Sequence, residues 1–125
     1  MKLGLFTALF ADKSLKEVLE LIRPLKLQTI ELGVGNYPGS PHVDVKELLK
    51  SKSAREDLKS MLLGEGLQIS ALSCHGNCLH PDKDFAKKHI EVQTDAIKLA
   101  SLLGIKTVND FSGCPGSDDK ATKPN

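Results

Sequence analysis

Along the 125-residue chain the apolar positions change period several times. Between Gly66 and Gly76, Ile69, Ala71 and Ser73 alternate with Ser70, Leu72 and Cys74, the pattern of a strand buried on both faces, as in a parallel sheet. Three other short runs read as strands: Lys2–Leu9, Leu27–Gly33 (LQTIELG) and Ile105–Phe111 (IKTVNDF). Between them the spacing becomes helical. Leu15, Val18, Leu19 and Ile22 share one face behind a capping box of Ser14 and Glu17, and Pro24 limits that helix. Asp44 with Glu47 and Ser53 with Glu56 read as the caps of two further helical pieces, the second burying Leu58, Met61 and Leu62. The longest helix is expected over Asp82–Leu103, with Phe85, His89, Val92, Ala96, Leu99 and Leu103 on one seam and Ala86, Ile90, Ile97 and Ala100 beside it.

Leu27, Leu67 and Ile105 open similar segments, LQTIEL, LQISAL and IKTVND, at spacings of 40 and then 38 residues. Strands alternating with helices in this way build a right-handed parallel α/β sheet of about four strands and three helices. A strand order of 1-2-3-4 means part of a closed eight-stranded barrel, whereas 2-1-3-4 means an open doubly wound sheet. The chain reads as one domain, residues 1–125, with a polar, turn-rich tail over 112–125.

Composition narrows the function. Seventeen basic and sixteen acidic residues leave a net charge of +1, so there is no excess field to attract nucleic acid or an anionic membrane. Three cysteines cannot all pair, which favours reduced thiols and a cytoplasmic setting. Lys2 followed by LGLFTALFA is too short for a signal peptide and has no A-x-A cleavage site.

Chemistry is expected at the C-terminal ends of the strands, where parallel sheets gather ligands. The third strand ends in the densest cluster of reactive side chains, SCHGNCLHP. In the repeat register Glu31, Ala71 and Asn109 share one position and point to the inside of a barrel, together with His75 two residues beyond Ser73. A carboxylate there needs donors or a cation, so Glu31 is either a site residue or an ion-paired structural group. His75 can hydrogen-bond a hydroxyl or ligate a metal. Cys74, Cys78, Cys114, His75 and His80 are candidate zinc ligands, but there is no C-x-x-C pair, and Cys74 alternates onto the helix-facing side as an inert thiol. The SGCPG turn lacks a Walker-type lysine and reads as a plain turn. His42 and His89 read as structural or exposed. Asp110 is expected toward the helix layer, where it needs a partner or ends the strand early.

KLGLFTALFADKS, IELGVGNYPG, ISALSCHGNCLHPDK and TVNDFSGCPG resemble the opening half of xylose isomerase-like barrels of the sugar phosphate isomerase and epimerase family. The resemblance covers essentially the whole chain, and SCHGN with HPDK and FSGCPG are its most specific parts. Asn109 and Asp110 depart from it, since apolar or hydroxyl residues are expected before FSGCPG. It implies proton transfer next to a carbonyl of a sugar or sugar phosphate. It also implies a divalent metal (Mn, Mg, Co or Zn) in the complete barrel, held by strands beyond this chain. Substrate contact would fall to Phe6, Glu31, His75, Asn77 and Ser112, with Glu31 as candidate catalytic group. No metal site is expected within the chain, His75 being the nearest to a ligand because endonuclease IV-type barrels place a zinc-binding histidine there. The alternatives are a fragment of such a DNA-repair barrel and a non-catalytic half-barrel that self-associates through its open sheet edges. The chain by itself is expected not to turn over sugars.

Overall fold

The computed structural model describes residues 1–116. Four parallel strands, β1 (Gly4–Phe6), β2 (Thr29–Gly33), β3 (Gln68–Ser73) and β4 (Val108–Asn109), pair in the order 1-2-3-4, which excludes the doubly wound alternative. Helices α1 (Leu15–Ile22), α2 (Val45–Lys50), α3 (Lys52–Gly64) and α4 (Lys83–Leu103) connect them, so the β2–β3 crossover carries two helices. Of the tail expected over 112–125, residues 117–125 lie outside the described part.

The core lies between the sheet and the helices. Val18 and Ile22 of α1, Ile30 and Leu32 of β2, Leu62 of α3, Leu72 of β3 and Leu99 of α4 are almost completely buried in it. Burial of this kind contributes roughly 25 cal/mol per Å² of apolar surface and dominates the stability of small α/β domains. α1 begins at the expected capping box: Ser14 Oγ accepts from the Glu17 amide, and the Glu17 carboxylate accepts from the Ser14 amide at 2.8 Å. The α3 cap is Ser51 rather than Ser53, its hydroxyl accepting from the Ala54 amide at 3.1 Å. With that start the buried face is Leu58 and Leu62, and Met61 turns outward.

Both outer strands are shorter than the apolar runs suggest. The chain leaves β1 at Phe6 and enters a 3₁₀ turn over Thr7–Phe10, because the buried Thr7 hydroxyl donates to the Glu31 carbonyl in place of a ladder bond. β4 ends at Asn109. Asp110 Oδ1 folds back to accept from the Phe111 amide at 2.8 Å and the Gly76 amide at 2.9 Å, which stops the strand, while Oδ2 is buried with no hydrogen-bond partner among the described residues.

The β2–β3 ladder contains a bulge. Ile30 pairs with Ile69 but Glu31 pairs with Ala71, leaving Ser70 as the extra residue, its hydroxyl bonded to the Ile30 carbonyl at 3.0 Å. Ile69 therefore lies with Ile30 against the core, not on the face of Ala71 and Ser73 as strict alternation implies. Nor is β3 buried on both faces throughout, since Gln68 and Ser70 are exposed and only Ala71–Ser73 are covered.

Candidate functional site

Phe6, Glu31 and Ala71 form one row across β1, β2 and β3 on the face opposite the helices, and Ser73 with Asn109 forms the next row toward the strand ends. Asn109 thus stands beside Ser73, one row beyond the level of Ala71 expected from the repeat, because β4 is staggered by two residues against β3. The stagger preserves the facing and brings Asn109 over the carboxylate: Asn109 Nδ2 donates to Glu31 Oε1 at 3.0 Å, and Ser73 Oγ donates to the same oxygen. Two neutral donors from two strands fix the half-buried Glu31, and among the described residues no donor reaches Oε2. That is the geometry of a held carboxylate with one oxygen to offer, not of an ion pair.

His75 continues this side of the sheet just past β3. Its ring stacks on Phe111 at 4.4 Å with an 18° interplanar angle, and Phe6 meets its edge at 6.3 Å. The rings hold the imidazole without giving it a polar partner, and its Nδ1 is buried and unbonded. Phe6 joins the two halves of the site, since it pairs in register with Glu31 and packs against His75.

Behind the imidazole a network of main-chain bonds clamps the loop. The Gly76 amide donates to Asp110, the Asn77 amide to His89 Nδ1 at 2.8 Å, and Asn36 Nδ2 to the Cys74 carbonyl at 2.8 Å. Gly76 is required here: a Cβ would sit 2.5 Å from Asn36 Nδ2 and 2.7 Å from His89 Nδ1. Asn77 is buried, and its Oδ1 accepts from the amides of Leu79 and Cys114 at 3.2 and 2.8 Å. It ties this loop to the turn after β4, where Gly113 packs 2.9 Å, by its absent Cβ, from that same oxygen. Ser112 lies apart, exposed on the rim of an open hollow of about 610 Å³ with Tyr37, Gly76 and Phe111. A larger hollow of about 830 Å³ lies on the helix side between α2 and α4, lined by mixed charges including Asp44, Lys46, Lys88 and Glu91.

The structure therefore gathers Phe6, Glu31 and His75 on one face, turns Asn77 into a brace and leaves Ser112 on the rim. Ser73 and Phe111 belong to the site but carried no chemical signal in the sequence. Ser73 is one of two serines in β3, and nothing in the sequence marks it apart from Ser70. Phe111 reaches the His75 ring because β4 ends at Asn109, two residues before it.

The five zinc candidates disperse. Cys74 is fully buried in the core, and burial together with the neighbouring Asp110 charge pushes its thiol up to about 12. Cys78 approaches Gln93, Cys114 is exposed, and His80 packs on Phe85 at 4.3 Å. Among the described residues no three His, Cys, Asp or Glu side chains gather as a cation requires. No helix among them is long and apolar enough to cross a membrane. His42 is buried, with Nε2 3.1 Å from the Phe10 carbonyl.

No family model matches the chain. It is 33% identical over 122 residues to the uncharacterised protein YfiH of Bacillus subtilis strain 168, an alignment spanning 96% of this chain and 39% of the relative. Among solved structures, it superposes on the probable 3-DHS dehydratase AsbF of Bacillus anthracis, involved in petrobactin synthesis, with a TM-score of 0.62 and 22% identity. It also superposes on a xylose isomerase domain protein of Planctomyces limnophilus with a TM-score of 0.60 and 12% identity. Each superposition covers 90% of this chain and 39% or 41% of the other. By fold, the chain is a partial (β/α) barrel like these two structures, and it spans about two fifths of the length of the proteins it matches.

Proposed function

We propose that this chain is the N-terminal portion of a sugar or sugar phosphate isomerase or epimerase-like barrel that moves a proton next to a carbonyl. The observation that carries this reading is the Glu31 carboxylate, held by Ser73 and Asn109 at the C-terminal end of the sheet with one oxygen unclaimed. Such an oxygen can take a proton from the carbon beside a carbonyl. The electron pair left behind delocalises into an enediolate, and the same carboxyl returns the proton to the neighbouring carbon; inversion of the first carbon would take a second acid on its opposite face, from the rest of the complete barrel. His75, with Phe6 and Phe111 on either side, would hydrogen-bond a substrate hydroxyl while the rings cover its apolar face. A divalent metal belongs to this proposal only for the complete barrel. The described residues do not gather into a site for one, and the chemistry assigned to this chain is that of Glu31 and His75 alone. A dehydratase among the fold neighbours supports the same first step, because loss of water next to a carbonyl also opens with removal of a carbon-bound proton.

The test is a titration of the chain with a panel of ketoses, ketose phosphates and non-sugar polyols, followed through the His75 ring signals by NMR. We expect ketoses or their phosphates to shift His75 selectively and the Glu31→Ala variant to lose the response. Shifts equal for all polyols, or unchanged in the variant, would overturn the reading.

A further inference from the structure

Of the four phenylalanines and one tyrosine in the chain, Tyr37 and Phe111 are the exposed ones, at 58% and 55%, and both line the hollow of about 610 Å³ that has Ser112 on its rim. A single exposed ring is ordinary, but two on one hollow within the size range of small-molecule clefts, about 300–1,000 Å³, are a ligand-binding feature. Neither ring is loose. The Tyr37 amide donates to the His75 carbonyl at 2.9 Å, and the Tyr37 ring meets that of His89 at 5.4 Å with a 72° interplanar angle. Phe111 is stacked on His75 at 4.4 Å, and its amide is held by Asp110 Oδ1 at 2.8 Å. Rings fixed before a ligand arrives lose little freedom when it binds.

The hollow adjoins the carboxylate site. Asp110, on its wall, follows the Asn109 that holds Glu31, Gly76 follows His75, and Phe111 touches both places. A substrate with its carbonyl at Glu31 therefore extends past Phe111 into this space. Among the described residues lining it there is no lysine or arginine, and the charged side chain is Asp110. Asp110 Oδ1 is taken by two amides and Oδ2 is buried, so this carboxylate acts on the hollow through its charge rather than as an acceptor. A phosphate dianion there would meet like charge. A sugar ring has the opposite character: its C–H bonds, polarised by the neighbouring oxygens, suit the negative faces of Tyr37 and Phe111, and its hydroxyls suit the hydroxyls of Tyr37 and Ser112.

We infer that this hollow is the subsite for a glycosyl ring carried by the substrate away from its reacting carbon, and that it takes the ring unphosphorylated, against Tyr37 and Phe111. The inference rests on the proposed function only in placing the carbonyl at Glu31. The chain has one tyrosine and no tryptophan, so its intrinsic fluorescence reports Tyr37. A methyl pyranoside has no free carbonyl for Glu31 to act beside, and titrated into the chain at pH 8 it should change this fluorescence saturably at millimolar concentration. The 6-phosphate of the same pyranoside should bind at least tenfold more weakly. Asp110→Asn, which keeps an Oδ1 for both amides, should narrow that gap to less than threefold, and Phe111→Ala should weaken the unphosphorylated ring at least fivefold with an unchanged far-UV spectrum. No saturable response to the pyranoside, a phosphate form bound as well, a gap unchanged by Asp110→Asn, or affinity unchanged by Phe111→Ala would each overturn the inference. Failure here with the selective His75 response to ketoses intact removes the subsite and leaves the chemistry of Glu31, whereas pyranoside binding without that response does the reverse.

Discussion

Cys74 and Glu31 show how neighbouring rows of one sheet give opposite environments to ionisable groups. Glu31 is met by donors, whereas Cys74 faces the core and the negative Asp110, and both suppress its thiolate. The folded thiol lies near 12 against an ordinary value of 9.0, so the folded state holds its proton where the unfolded chain has released it. Stability from this group is fully present below pH 9 and falls as the pH rises from there toward 12. Urea midpoints measured between pH 8 and 10.5 should fall less steeply in Cys74→Ala than in the parent, and equal slopes would count against the buried thiol. At pH 8 an alkylating reagent should label the exposed Cys114 first and Cys74 only on unfolding, as peptide mass mapping would show. The inert character of Cys74 was legible from alternation alone. The partners of Glu31 were not, because a donor such as Ser73 has no charge or ring to mark it.

At the scale of elements, helices were read more reliably than strand ends. The buried centre of the α4 seam, Ala96, Leu99 and Leu103, and the capping box of α1 follow from spacing and a local hydrogen bond, which the sequence states directly, but Ile90 and Ile97, expected beside the seam, face outward. The start of α3 was misplaced by two residues, since Ser51 and Ser53 are both followed by helix formers and only the backbone decides which hydroxyl faces the free amides. The distinction is measurable. Ser51→Ala should cost about 1 kcal/mol of unfolding free energy, as losing a capping hydroxyl does, and Ser53→Ala, on the exposed surface of the first turn, less than about 0.5 kcal/mol. Equal losses in urea denaturation would return the cap to Ser53. The early ends of β1 and β4 were hidden for a different reason: each is set by a side chain, Thr7 or Asp110, bonding across the sheet to a residue distant in sequence.

For the molecule as a whole, the parallel polarity of the strands is legible in the βα repeat, because crossovers are right-handed, whereas the order 1-2-3-4 rather than 2-1-3-4 is implied only by the family resemblance. The bulge at Ser70 was not legible, since an extra residue in a ladder leaves no compositional mark. It shows that removing Ser70 would restore a regular ladder in which Ile69 still faces the core and Ala71 and Ser73 still face Glu31. We therefore expect the Ser70 deletion to unfold cooperatively and to keep Cys74 protected from alkylation at pH 8, although deletions inside a central strand ordinarily exchange its two faces. A reactive Cys74 in that variant would contradict the register. The wider consequence is one of phase. The stretch of β3 before the bulge and the stretch after it are written in opposite reading frames of the same two-residue period, so the half that packs the base of the sheet and the half that carries Ser73 and His75 can drift in sequence separately.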